Sequence, residues 1–245
     1  TSCGINEVEQ AALAAETAFH VTQSLDGKSI GGFLHAIADE IEALGDQLLE
    51  VADSETALGL VRLTGERGRT CGQLRAFAEL ANKGEWVQAS IDTALPDRAP
   101  VPKPDLRRMM KSIGPVAVFG ASNFPFAFSV LGGDTASALA AGNPVIVKGH
   151  PAHPATSELF AHAIDRAAQR CGIPKGVFSL LQGSGYDLGT ELVKHPSIQA
   201  VGFTGSEAVG RILIKISSER EVPIPVFAEM GSLNPVFVTQ GAITE

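Results

Sequence analysis

Gly114-Pro115-Val116-Ala117-Val118-Phe119-Gly120-Ala121-Ser122-Asn123-Phe124-Pro125 is a short apolar run, from Pro115 to Phe119, that ends in a glycine-containing turn. The pattern returns at Pro144-Val145-Ile146-Val147-Lys148, at 177–181, at 198–203 and at 224–228. Between these runs lie segments of helical character at 129–141, 154–170, 187–194 and 206–218; in the second of them Leu159, Ala163, Ile164 and Ala167 fall on one face. Short apolar strands alternating with helices predict a parallel sheet with helices on both faces. Runs that are apolar throughout, rather than alternating, predict strands covered on both sides. The expected fold is α/β, a Rossmann-like parallel sheet preceded by a helical N-terminal segment.

Upstream, residues 5 to about 24 and 28 to 50 read as helices. In the second, Leu34, Ile37, Ile41, Leu44 and Leu48 recur at steps of three and four and form one apolar stripe. Further helices are expected at about 54–61 and 65–83. Arg62, Arg67, Arg69 and Arg75 cluster here and read as a solvated face with Glu66 and Glu79; the alternative is an arginine group beside a pocket, suited to an anionic substrate. From Gly84 to about Lys111, Trp86, Val87, Ala89 and Ile91 fit a short strand, whereas Pro96, Pro100, Pro102 and Pro104 exclude a continuous helix. The chain divides into a helical lead-in over 5–83, an extended connector over about 84–112 of a kind useful for subunit contact, and a core over 113–238.

With 245 residues and 44% hydrophobic content the chain can bury a large core. A formal charge of −8, a pI near 5.3, one Trp and one Tyr argue against a nucleic-acid partner, which needs a basic face and stacking platforms. Cys3, Cys71 and Cys171 have no CxxC spacing, so neither a disulfide framework nor a zinc site is indicated, and a reducing cytoplasm is the expected location. No basic leader and no apolar run of spanning length is visible, and no membrane partner is expected.

The candidate site residues sit at strand ends. Asn123 follows the first strand of the core; its amide fits an Asx-turn, or a donor aimed at a developing oxyanion. Lys148 closes the next strand, where a buried ammonium needs water or an anion, such as a ligand phosphate, or a sugar hydroxyl. His150 and His153 lie in a proline-rich turn without a neighbouring acid or Cys and read as surface histidines, not metal ligands. Gly183, Gly185 and Gly189 make GxGxxxG, one residue longer than the dinucleotide fingerprint. Phe203-Thr204-Gly205-Ser206 passes from strand to helix, which is either a Ser N-cap or an anion site. Glu229, in Phe227-Ala228-Glu229-Met230-Gly231-Ser232-Leu233-Asn234-Pro235, stands at the exit of a strand expected to be buried; it is either a turn-capping acid or a general base.

In order and approximate spacing, the SNFP turn at Asn123, Lys148, Phe203 to Ser206 and the EMGSLNP segment at Glu229 resemble the aldehyde dehydrogenase superfamily. The likeness runs from about Gly114 to Val238 and is greatest toward bacterial α-ketoglutarate semialdehyde dehydrogenases and NADP-dependent fatty aldehyde dehydrogenases. It implies an enzyme in which a cysteine thiolate attacks the aldehyde, the thiohemiacetal passes hydride to a nicotinamide, and a glutamate activates the water that releases the acid. Carried over, Asn123 donates to the oxyanion and Glu229 is the general base. Lys148 binds the adenosine ribose, and Ser206 with Gly205 meets the pyrophosphate. His150, Pro151, Gly185, Gly189, Phe203, Thr204 and Gly231 complete the implied cofactor site. Phe124 and Phe128 line the implied aldehyde tunnel, and Arg69 and Arg75 hold a distal carboxylate. A homo-oligomer, dimer or tetramer, is implied for the full-length protein.

Two departures matter. Many NAD-preferring members carry a glutamate three positions after the lysine, where it repels a 2′-phosphate; here that position is Pro151, so NADP is the expected cofactor, with NAD as the alternative. The family's cysteine lies a few tens of residues after the glutamate, and only sixteen residues (245 − 229) follow it here, none of them Cys. The expectation is therefore a cofactor-binding half without the nucleophile. A short-chain dehydrogenase is excluded because Tyr186, the only tyrosine, has Thr190 and not Lys four residues on. A non-catalytic nucleotide-binding α/β protein is the remaining alternative.

Overall fold

The computed structural model describes residues 2–243. The lead-in consists of helices α1 (Ile5–Thr22), α2 (Gly27–Ala43), α3 (Gly45–Thr56) and α4 (Leu60–Lys83). The single helix expected over 28–50 is broken at Gly45, whose φ of 59° lies in the left-handed region and cannot continue a right-handed helix. The helix expected at 54–61 is likewise interrupted: Ala57 and Gly59 have φ of 52° and 83°, and the Asp53 carboxylate accepts the Gly59 N–H at 2.8 Å to close the turn. Glu85–Val87 forms a single 3₁₀ turn where a strand was expected. The connector then makes an antiparallel pair, β1 (Ser90–Asp92) with β2 (Leu106–Arg108), exposed at every position.

From Val116 the chain alternates as expected: β3 (Val116–Phe119), α5 (Gly133–Ala140), β4 (Val145–Lys148), α6 (Pro154–Cys171), β5 (Phe178–Leu181), α7 (Tyr186–Lys194), β6 (Ala200–Gly205), α8 (Glu207–Ser218), β7 (Val226–Met230) and a short α9 (Gln240–Ile243). The five strands pair in parallel in the order β5-β4-β3-β6-β7. Helix α5 starts four residues later than expected: residues 129–132 form a turn instead, closed by the Gly132 N–H donating to the Ser129 carbonyl at 3.0 Å.

Both faces of the sheet are covered. Val116, Val118, Val145 and Val147 share one core with α2, α4, α5 and α6, in which Leu34, Ile37, Ile41, Leu63 and Phe160 are fully buried. Ala117, Phe119, Ile146, Val201 and Phe203 share the other with α1, α7 and α8. The exception is β7. It is an edge strand, with Phe227 67% exposed and Glu229 exposed, so the expectation that Glu229 leaves a buried strand is corrected. No helix among the described residues is long and apolar enough to cross a membrane.

The chain starts the sheet in its middle, at β3, proceeds outward through β4 to β5, and returns to the other side for β6 and β7. The connections after β3 and β6 therefore leave in opposite directions and open a crevice at the carboxyl ends of the strands, where such sheets bind ligands.

Candidate functional site

A cavity of about 850 Å³ occupies that crevice. The turn after β3 brings Asn123, Phe124 and Phe128 to it; the end of β4 brings Lys148, His150 and Pro151. Gly185 and Gly189 enter with the start of α7, Phe203 to Ser206 with the β6–α8 turn, and Glu229 and Gly231 with the end of β7. Tyr186, Thr190 and Val209 line it as well, and their positions beside the glycine-rich turns were the available signal. Arg69 lies outside the lining and stacks on Phe128, its guanidinium carbon 4.8 Å from the ring centroid.

Lys148 is half-buried, and burial holds its ammonium below the usual lysine range. Its Nζ has no hydrogen-bond or ion-pair partner among the described residues, so it is free for an anion or hydroxyl. Burial, reinforced by His153 and Lys148, pushes His150 down to about 4, so its ring is neutral near pH 7. Its Nδ1 accepts the Ala152 N–H at 3.1 Å, and its ring stacks on that of His153 with centroids 5.6 Å apart. His153 is fully buried, not a surface residue as expected; Nε2 donates to the Ala121 carbonyl at 3.1 Å and ties the Asn123 turn to the start of α6. No group of three or more His, Cys, Asp or Glu among the described residues is placed to hold a metal ion.

Two glycines owe their identity to close approach. A Cβ on Gly189 would stand 2.9 Å from the Phe119 ring, and one on Gly205 would stand 2.7 Å from the Phe203 ring. Ser206 caps α8, its Oγ accepting the Val209 N–H at 3.4 Å. The Glu229 carboxylate and the Asn123 side-chain amide make no hydrogen bond to the described residues, although the Glu229 backbone is part of the β6–β7 ladder. Asp134, which the sequence did not single out, lies under β6: a Cβ on Gly202 would meet its carboxyl at 3.0 Å. Burial first, and then the charge of Glu229, raise its pKa.

The arginine cluster is not one solvated face. Arg75 donates to Glu42 at 2.8 and 2.9 Å and to Asp39 at 3.4 Å, which takes it out of consideration for substrate. Arg67 donates to the Gly45 carbonyl at 2.7 Å. Glu66 is buried, with Oε1 accepting the N–H groups of Phe126 and Ala127. Arg62, unmarked by any motif, donates to the Asn123 carbonyl at 2.6 Å and covers Phe124. The cysteines are elsewhere: Cys71 is buried, and desolvation pushes its thiol up to about 11; Cys3 Sγ accepts the Gln182 N–H at 3.3 Å; Cys171 is exposed at the end of α6. None lines the cavity.

The aldehyde dehydrogenase family profile matches residues 1–244. The chain is 55% identical over 237 residues to alpha-ketoglutaric semialdehyde dehydrogenase 2 of Azospirillum brasilense, covering 97% of this chain and 45% of the relative. It is 53% identical over 239 residues to the alpha-ketoglutaric semialdehyde dehydrogenase of Acinetobacter baylyi, covering 98% and 45%. The chain thus spans about half the length of the curated relatives it matches. Among solved structures, an E. coli NADP dependent enzyme is similar with a TM-score of 0.80 and 26% identity, over 94% of this chain and 45% of that one. A salicylaldehyde dehydrogenase from Pseudomonas putida G7 shares the fold, with a TM-score of 0.81, 23% identity and the same coverages. A sheet entered at its centre, a cavity at its switch point and a profile matched almost end to end agree: the chain belongs to the aldehyde dehydrogenase family.

Proposed function

We propose that this chain is the cofactor-binding half of an NAD(P)-dependent aldehyde dehydrogenase that oxidises a semialdehyde to the acid and accepts NADP. The observation that carries this is the convergence of Asn123, Lys148, Ser206 and Glu229 on one cavity at the switch point of the sheet. The residues fit a dinucleotide: Lys148 has an ammonium with no partner among the described residues, and α7 and α8 begin at the cavity, where backbone N–H groups favour an anion. When bound, the cofactor supplies the hydride acceptor. Lys148 holds the adenosine ribose, and the Gly205–Ser206 turn holds the pyrophosphate. Pro151 leaves no acid to repel a 2′-phosphate, and Glu229 is the only carboxylate among the lining residues.

Asn123 is fixed at its carbonyl by Arg62, and its amide is free to donate to an oxyanion. Glu229 takes a proton from water as the water oxygen bonds to the thioester carbon and the carbonyl pair moves onto oxygen; that pair returns as the C–S bond breaks, releasing the thiolate and the carboxylic acid. We assign the attacking sulfur to the part of the relatives' length that this chain does not span, in keeping with a cavity lined by no cysteine. A semialdehyde is supported by the names of the relatives and by Arg69 beside Phe128. The edge-on pair Phe124 and Phe128, with centroids 5.2 Å apart, equally suits a fatty aldehyde. The cysteine-free lining also fits a second reading, a non-catalytic nucleotide binder. The exposed β1–β2 arm supplies the contact of a homo-oligomer.

Titrating the chain with NADP and NAD in a calorimeter tests the cofactor role. Binding is expected with both, with NADP at least as tight, and Lys148→Met weakens it about tenfold, the scale of one lost charged contact. No binding rejects the proposal, and strong preference for NAD rejects its NADP part. In the complete polypeptide, Glu229→Gln is expected to slow turnover by about 10² to 10⁴ while the first hydride-forming turnover persists. Absence of any aldehyde-dependent turnover there supports the non-catalytic binder. Aldehyde-dependent NADPH formation by protein of verified mass 25.5 kDa overturns the external nucleophile.

A further inference from the structure

We propose that one face of α4 positions the oxyanion donor, with Arg62, Glu66 and Arg69 gripping the turn from Asn123 to Phe128 and Glu66 as its anchor; this rests on the role proposed above for Asn123. The three residues are spaced i, i+4 and i+7, so they rise from the same side of the helix. Glu66 is only 5% exposed. Its Oε1 accepts two successive backbone N–H groups, Phe126 at 2.8 Å and Ala127 at 2.9 Å. Its Oε2 is buried without a partner among the described residues. A helix packed only for stability has no use for a buried acid with one oxygen unsatisfied, because that arrangement carries a desolvation cost that an apolar side chain avoids. The acid is explained by the turn it holds.

The flanking arginines extend the grip in both directions. Arg62 donates to the Asn123 carbonyl at 2.6 Å and lies over the Phe124 ring at 4.8 Å; Arg69 lies over the Phe128 ring at 4.8 Å. Neither pairs with a carboxylate among the described residues, which leaves the aromatic faces and the turn as their partners. From below, the Ala121 N–H donates to the Phe128 carbonyl at 2.7 Å and closes the loop at its base. The Asn123 backbone is thus pinned while its side-chain amide stays free. A displacement of about 1 Å at this turn takes the amide out of hydrogen-bond reach and is enough to cost on the order of a hundredfold in rate.

A double-mutant cycle in the complete polypeptide tests this, read on the rate of the first hydride-forming turnover. Glu66→Leu is expected to lower that rate about ten- to a hundredfold, with the KM for nucleotide little changed. Glu66→Gln, whose amide oxygen still accepts both N–H groups, restores most of it. In an Asn123→Ala background Glu66→Leu adds little further loss, because the donor it positions is gone. Additive losses, or a Glu66→Gln enzyme as slow as Glu66→Leu, overturn the proposal. Should Glu66→Leu fail to fold, Arg62→Met at an exposed position enters the same cycle with the same criterion. An Asn123→Ala enzyme of undiminished rate rejects the oxyanion assignment itself. Amide exchange at Phe126 and Ala127 in the 245-residue chain, fast in Glu66→Leu and protected in Glu66→Gln, then decides separately whether Glu66 holds the turn.

Discussion

Asp134 and His150 are titratable groups beside the cavity that burial drives toward their neutral forms from opposite sides. For Asp134 the folded pKa lies above the ordinary one, so the folded chain binds this proton more tightly than the unfolded chain. Its stability contribution is most favourable where Asp134 is protonated and declines as pH rises through the ordinary carboxyl range toward the folded value. Asp134→Asn keeps the shape and cannot ionise. It should raise the melting temperature at pH 7 and bring no gain below about pH 3, under the ordinary Asp value; melts across that range that show an equal gain at both ends reject the account. For His150 the sign reverses. With a folded value of about 4 against an ordinary 6.5, stability is lost as pH falls between them, and His150→Gln should remove that part of the acid sensitivity. A ring titration by NMR with a midpoint near 6.5 contradicts this. Neither environment was legible in the sequence. His150 sits in a turn rich in polar and proline residues, and Asp134 reads as an ordinary first-turn helix acid; only the fold puts β6 over one and a second histidine ring against the other.

The elements themselves were largely legible, for a physical reason. Strands β3 to β6 have both faces covered, so their apolar runs stand out, and α6 carries a clear stripe. What failed were interruptions. Gly45 and the Ala57–Gly59 turn break helices whose apolar spacing continues across the break, because helix α3 packs against the same core as α2. Glu66 misled because its partners are backbone N–H groups sixty residues away, which leave no trace in side-chain pattern. The edge position of β7 is similarly invisible, since composition does not say which neighbour is missing. Glycine packing gives a test at this scale. Gly189→Ala would drive a methyl into the Phe119 ring, which lines the cavity. It should cost about 1–3 kcal/mol of stability and weaken nucleotide binding. A denaturant melt and a titration matching the parent chain would show that the helix can shift at no cost.

At the scale of the molecule, the division into a helical lead-in and a Rossmann-like core is one of sequence and not of packing. Leu34, Ile37 and Ile41 of α2 and Leu63 and Leu74 of α4 are fully buried in the same cluster as Val116, Val118, Val145 and Val147 of the sheet. On the opposite face α1 covers Ala117 and Ile146 through Val8, Ala11, Ala12 and Ala15. Removing the lead-in therefore strips both sides of the sheet at once. Those five α2 and α4 side chains alone represent on the order of 10 kcal/mol of burial, comparable to the whole stability of a typical domain. It also deletes Arg62, Glu66 and Arg69, and Glu55, whose carboxylate accepts the Ala155 and Thr156 N–H groups at 2.8 Å at the start of α6. A chain beginning at Gly84 keeps every cofactor residue proposed here, yet it should show no cooperative thermal transition and no nucleotide binding. A sharp melt with retained NADP affinity would mean that the sheet and its helices stand alone and that the lead-in is an accessory. With loss of both, the lead-in is part of the cofactor site's foundation, although none of its residues lines the cavity.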